Sequence, residues 1–117
     1  MQENHDPVLT IDIAHPPLRG SDAESLLDDS LRKIRLSGTL RLLNIVHGYG
    51  SRGKGGTLKT VVKNWTHNNK QSIRLAIAGE DLSIMNHDVQ RMIAECELAD
   101  TKDFVTPNDG MTVVWVK

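Results

Sequence analysis

A chain of 117 residues, 38% hydrophobic and 25% charged, has the size and composition of one globular domain that buries a core without metal or disulfide support. Its single cysteine, Cys96, excludes an internal disulfide and a Cys-x-x-Cys zinc site, and sets the expectation of a cytoplasmic protein. The net charge of −1 hides a segregation: Ser30 to Gly79 holds ten cations (Arg32, Lys33, Arg35, Arg41, Arg52, Lys54, Lys59, Lys63, Lys70, Arg74) and no acid, while the flanks hold all 15 acids and four cations.

No apolar run reaches the length of a membrane span, and the opening MQENHDP lacks the charged and apolar regions of a signal peptide, so no membrane partner is expected. An acid-free, cation-rich half is the electrostatic footprint of a polyanion partner. The alternative is that these cations pair in space with the acidic flanks, each surface pair contributing little.

In chain order, VLTIDIA (Val8 to Ala14) alternates apolar and polar residues and is β-branched, which predicts a strand with Leu9, Ile11 and Ile13 on the core face. Pro16 and Pro17 end it. Ser21 and Glu24 form an S-x-x-E capping box for a helix whose apolar stripe is Ala23, Leu27, Leu31 and Ile34, with Gly38 as its stop. A second strand is predicted over Leu40 to Val46. Thr57 is placed to cap the next helix, with Leu58, Val61, Val62 and Trp65 on its apolar side and Lys59, Lys63 and His67 on another face. Ser72 to Ala78 alternates as a third strand. The acidic segment 80–106 carries a helix from about Asn86 to Leu98, with Val89, Met92, Ile93 and Cys96 on its packing face, and Pro-Asn-Asp-Gly turns into a last strand, Met111 to Val116. The order is βαβαβ, then a helix, then β. Right-handed parallel crossovers gather the ends of the first two strands on one sheet edge, where open α/β sheets bind ligands. That edge carries Asp12, His15 and His47.

Between the second strand and its helix runs HGYGSRGKGG, residues 47–56. It contains G-x-G-x-x-G at Gly48, Gly50 and Gly53, and misses G-x-x-x-x-G-K-[ST] because Gly55 stands where the magnesium-binding hydroxyl belongs. A dinucleotide reading would use Glu80 as the ribose acid, and the loop carries extra residues for it. As a clamp for a nucleic-acid backbone, its glycines let amides approach phosphates while Arg52 and Lys54 neutralise charge and Lys59 and Lys63 extend the positive surface. Tyr49 is the one residue there able to stack on a base. The plain alternative is a glycine-rich connection.

These segments, IDIAH, IVHGYGSRGKGGTLKTVVKNW and DGMTVVWVK, resemble in that order the three signature blocks of the small MutS-related (Smr) domain family: an L-D-x-H segment, an H-G-x-G or T-G-x-G segment with a basic loop and an L-K helix, and a G-x-G-A-T-V-V-x-L-type strand. The resemblance covers about residues 8–79 and 107–117. It implies an α/β fold, an α+β-like two-layer sandwich with a mixed four-stranded sheet, two main helices and an inserted acidic helix at 80–106, so that residues 1–7 form a flexible N-terminus and 8–117 one domain. It also implies binding of DNA or RNA and, in several members, metal-assisted cleavage. By position, Asp12 corresponds to the motif acid, His47, Gly48 and Gly50 to the H-G-x-G block, and Gly110 to a glycine of the last block. The motif histidine position holds Ala14, with His15 one place later, and a one-residue shift along a strand sends a side chain to the opposite face.

The reading that follows is an endonuclease acting on DNA or RNA, in which Asp12 holds a magnesium or manganese ion or acts as base and His47 is the acid or phosphate donor, with His15 as the third catalytic candidate. Gly48, Tyr49, Gly50, Arg52, Lys54, Lys59 and Lys63 bind the nucleic acid. The alternatives are a non-catalytic binding module, for which Ala14 argues, and a mononucleotide-binding protein.

Overall fold

Parallel strands need crossover helices, and both predicted crossovers form. The computed structural model describes residues 6–48 and 54–117, with 54–57 as backbone alone; most of the expected N-terminal tail lies outside these residues. The elements are β1 (Val8–Asp12), α1 (Gly20–Leu36), β2 (Leu42–Val46), α2 (Lys54–Asn68), β3 (Ile73–Ala78), α3 (His87–Cys96) and β4 (Met111–Val116). The sheet is mixed, in the order β1-β2-β4-β3. β1 pairs parallel with β2, from Val8 opposite Leu42 to Asp12 opposite Val46. β4 lies antiparallel to both β2 and β3. β1, β2 and β3 therefore run in one direction and end at one edge.

The central strands are apolar on both faces because both faces are covered. On one side, Ala23, Leu27, Leu31 and Ile34 of α1 and Leu58, Val62 and Trp65 of α2 pack on Leu43, Ile45, Val114 and Val116. Full burial of a side chain such as Leu27 contributes about 1.5–3 kcal/mol. The indole N–H of Trp65 donates to Asp28 at 2.8 Å and ties the two helices together. On the other side, Val89, Met92 and Cys96 of α3, with Leu82 and Phe104, cover Leu42, Ile77, Val113 and Trp115. The acidic segment thus turns its apolar stripe to the sheet and its charge to solvent, adding a cover to the face the two main helices leave open.

Local chemistry moves several boundaries. α1 begins at Gly20 with Arg19 as its cap residue and no side-chain cap, so the Ser21–Glu24 box is not the start signal. The Leu18 amide is held by the carbonyl of Ile13 at 2.9 Å and the Ala23 amide by that of Arg19 at 2.8 Å, and the helix starts as the chain leaves this turn. It ends at Ser37, not through Gly38: the Ser37 hydroxyl accepts from the amides of Thr39 and Leu40 at 3.0 and 2.9 Å. α2 is already helical at Lys54, which puts Thr57 inside its first turn instead of at its cap. α3 is capped as its sequence allows, the Asn86 side chain accepting from the amides of Asp88 and Val89.

Candidate functional site

β1 ends at Asp12, and the chain then closes a tight turn through Ala14 to Pro17. Oδ1 of Asp12 accepts the amides of Ala14 and His15 at 2.8 and 3.1 Å. The turn carries His15 back over the same carboxylate, its Nδ1 2.9 Å from Oδ2 and 3.1 Å from Oδ1. Face alternation stops where the strand stops, so the one-residue shift does not send His15 away from Asp12. Only the Nδ1–H tautomer can donate to a carboxylate, which leaves Nε2 of a ring that is 69% exposed directed away from the pair. Partial burial pulls the Asp12 carboxyl upward, but the Ala14 amide and His15 outweigh it and the pKa lies below the usual 3.8. Asp12 is an anion at neutral pH.

At the end of β2, His47 is fully buried. Its Nδ1 lies 3.0 Å from the Gly48 carbonyl and its Nε2 2.9 Å from the Thr112 hydroxyl. A carbonyl only accepts, so Nδ1–H donates to it and Nε2 accepts from Thr112. Burial pushes the imidazole below its ordinary 6.5; the Gly48 carbonyl opposes this and the nearby Lys59 charge adds to it. A neutral, enclosed ring with both nitrogens occupied does not suit the acid or phosphate-donor role expected of it. What it does is fix the first residue of the glycine-rich loop.

Gly48 sits at φ +83°, a conformation open to glycine at little cost, and a β-carbon there would lie 3.4 Å from that of Ala14. The loop root therefore packs on the Asp12–His15 turn. The amides of His47 and Gly48 both donate to the Gly110 carbonyl, at 2.9 and 3.0 Å, bringing the three sequence blocks to one edge. The edge is closed at β3 by Gly79, whose carbonyl accepts the Asn108 amide at 2.9 Å. A β-carbon on Gly79 would come within 1.7 Å of the Asn108 carbonyl oxygen.

The cations are only partly gathered. Lys59 pairs with Glu80 at 3.2 Å beside His47, so one of the lysines expected on the phosphate surface is countered by a carboxylate. The same pair occupies the acid that a ribose would need. Lys63 is exposed and, among the described residues, neither it nor Lys70 has an ion pair. Together with His67 and Arg74 they line a shallow groove of about 340 Å³ between α2 and β3. Arg74 also reaches Glu95 at 3.7 Å and lies over the Trp115 ring at 4.9 Å. Tyr49, Gly50 and Arg52 lie outside the described residues, as does the side chain of Lys54.

Among the described residues no group of three His, Cys, Asp or Glu is placed to hold a metal ion. Asp12 offers a single carboxylate whose oxygens already accept three donors, and a magnesium or manganese ion held there would take its other oxygens from water and a substrate phosphate.

Sequence reasoning missed Thr112 and Lys70. Thr112 had a signal: it is polar on a strand otherwise continuously apolar. Lys70 had one too, since it lies seven residues beyond Lys63 and continues the same positive run.

The Smr domain family model matches residues 15–117. The match opens at His15, so Asp12 lies just ahead of it. The crystal structure of the Smr domain of Thermus thermophilus MutS2 superposes with a TM-score of 0.56 at 17% sequence identity, covering 94% of this chain and 96% of that one. At this identity the likeness speaks for the fold alone. No curated protein matches the chain. No described helix is long and apolar enough to cross a membrane.

Proposed function

This chain belongs to the Smr domain family, and on that premise we propose that it is a nucleic-acid-binding domain that cleaves phosphodiester bonds with His15 as general base and Asp12 as its positioning residue. The observation that carries this reading is the Asp12–His15 contact of 2.9 Å beside a glycine-rich loop root. The ionised carboxylate holds the ring in the tautomer whose Nε2 accepts a proton. Nε2 takes the proton of the attacking hydroxyl, from water or from a ribose 2′-OH. That oxygen bonds to phosphorus, and the bond to the leaving oxygen breaks, its proton coming from solvent. The loop holds the backbone beside the pair, and the Lys63–Lys70 groove, toward the other end of the sheet, extends the positive surface.

Supercoiled plasmid and folded RNA, each incubated with the protein in EDTA and with magnesium or manganese, test the proposal. Cleavage that persists in EDTA and is lost in His15→Ala supports it; cleavage undiminished in His15→Ala ends it.

One observation favours the second reading, a binding module without catalysis. His47 is sealed between Gly48 and Thr112 and leaves no described acid beside the leaving group. Salt-sensitive binding with no cleavage of either polymer would identify that module.

A further inference from the structure

At the end of the sheet where β1, β2 and β3 begin and β4 finishes, distant segments are tied together. The Val116 amide donates to the Arg41 carbonyl at 3.0 Å and the Lys117 amide to the Ser72 carbonyl at 3.1 Å, while the Arg35 guanidinium donates to the Ser72 hydroxyl at 3.0 Å. Four cations, Arg35, Arg41, Arg74 and Lys117, consequently line one cavity of about 250 Å³, where Glu95 is the single acid among the described residues. Arg35 also lines a groove with Arg32 and Asn69, and Arg74 lines the Lys63–Lys70 groove. Shared residues join the three spaces into one cationic band. Arg41, Lys63, Lys70 and Lys117 are exposed and, among the described residues, have no ion pair. The pairs within the band are Arg32 with Asp29 at 3.0 Å and Arg74 with Glu95 at 3.7 Å. Cations in the last turn of α1 offset its helix dipole, but the four unpaired ones stand on other segments. Asp6, Glu97, Asp100 and Asp103 line a different space, on the α3 side. Their charge steers a polyanion to the α1–α2 side of this end.

We infer that this end of the sheet is a second surface for a nucleic-acid backbone, remote from the Asp12–His15 edge, with one phosphate seated among Arg35, Arg41 and Lys117. Guanidinium groups match phosphate oxygens two at a time, and cations spread over three joined grooves suit a repeating anion better than a single one. Leu36, 81% exposed and lining the groove beside Arg35, offers a sugar an apolar contact. A membrane surface would need a whole apolar helix face, of which Leu36 is one residue. β1, β2 and β3 are 5, 5 and 6 residues long, so the two ends lie roughly 17–20 Å apart at about 3.3 Å per residue. With about 3.4 Å between phosphates along one strand of a duplex, a substrate engaging both ends runs on the order of six nucleotides or more past the reactive pair. The inference rests on the nucleic-acid-binding part of the proposed function and not on cleavage.

The test is fluorescence anisotropy of the full chain with labelled DNA and RNA hairpins of about 6 and about 20 base pairs, lengths that fall short of and exceed the span between the ends, over a salt series. The longer hairpin is expected to bind more tightly. The double variant Arg41→Gln with Lys117→Gln, both exposed positions, should weaken the longer hairpin about tenfold, lower the slope of log K against log salt by about two, and remove most of the advantage of length. Arg91→Gln with Lys102→Gln removes the same charge from the α3 side and should change neither quantity; thermal melts confirm that both variants fold. An unchanged slope in Arg41→Gln with Lys117→Gln overturns the second surface alone, and so does an equal loss in the control pair, which would reduce the effect to net charge. Displacement of both hairpins alike by millimolar inorganic phosphate, or tighter binding to vesicles of anionic phospholipid than to either hairpin, also overturns it. Absence of binding to every hairpin overturns this inference together with the nucleic-acid reading on which it rests.

Discussion

His15 rests against Asp12 with 2.9 Å between Nδ1 and Oδ2, although a strand continuing through both would have placed them on opposite faces. The contact exists because the carboxylate itself caps the turn that ends the strand, accepting two amides as well as the ring. Removing the ring or the carboxylate therefore lowers cleavage. His15→Ala is expected to lower cleavage about 10²–10⁴-fold with binding of the same oligonucleotide unchanged. Asp12→Asn keeps part of the turn but loses the carboxylate that orients the ring, so cleavage should fall, with binding of the oligonucleotide again unchanged. Single-turnover rates and fluorescence anisotropy measure both.

His47 gives a second outcome, read in stability rather than activity. Its folded pKa is depressed by burial, from an ordinary 6.5, so below that value the unfolded chain binds a proton the folded chain refuses. Stability contributed by this group is complete above the unfolded value and declines as pH falls through it toward the folded one. Urea unfolding at pH 7.5, 6.5 and 5.5 should show falling midpoints. In His47→Leu this component of the slope should vanish, with a general loss of about 1–3 kcal/mol because Gly48 and Thr112 lose their partner.

Gly79 is a test of how the edge is closed. A methyl group at this position meets the backbone oxygens of Asn108 and Met111 at 1.7 and 2.4 Å, and backbone cannot step aside as a flexible side chain can. Gly79→Ala is expected to destabilise by roughly 2 kcal/mol or more, seen as a lower Tm. Gly38→Ala, where nothing lies within 4 Å, should be close to neutral.

The lysines divide by partner. Lys63→Gln and Lys70→Gln should each weaken nucleic-acid binding and reduce the slope of log K against log salt by about one. Lys59→Gln should cost less, because Glu80 already offsets that charge. Glu80→Gln should tighten binding. Fluorescence anisotropy at several salt concentrations distinguishes the three cases.

Much of this was legible in the chain itself. Periodicity places the four strands and three α-helices of the described residues, because apolar spacing of two or near 3.6 is imposed by which face must leave water. The Met111–Val116 strand has the limits its sequence predicts, and α3 begins next to the expected Asn86. The shared edge of Asp12, His15 and His47 was legible too, since strand direction follows from short crossovers.

Other matters depended on contacts between segments distant in sequence. That His15 turns back to Asp12 follows from where β1 stops, and that is set by the Val46, Ile13 and Leu18 backbone bonds. That His47 is enclosed follows from Thr112, 65 residues away, and that Lys59 is countered follows from Glu80, 21 residues on. Sequence alone determined which residue types stand at the edge and which elements carry them. Tertiary structure decided which of them are exposed, paired or buried, because hydrogen bonds and desolvation act over a few ångströms in space and have no fixed distance along the chain.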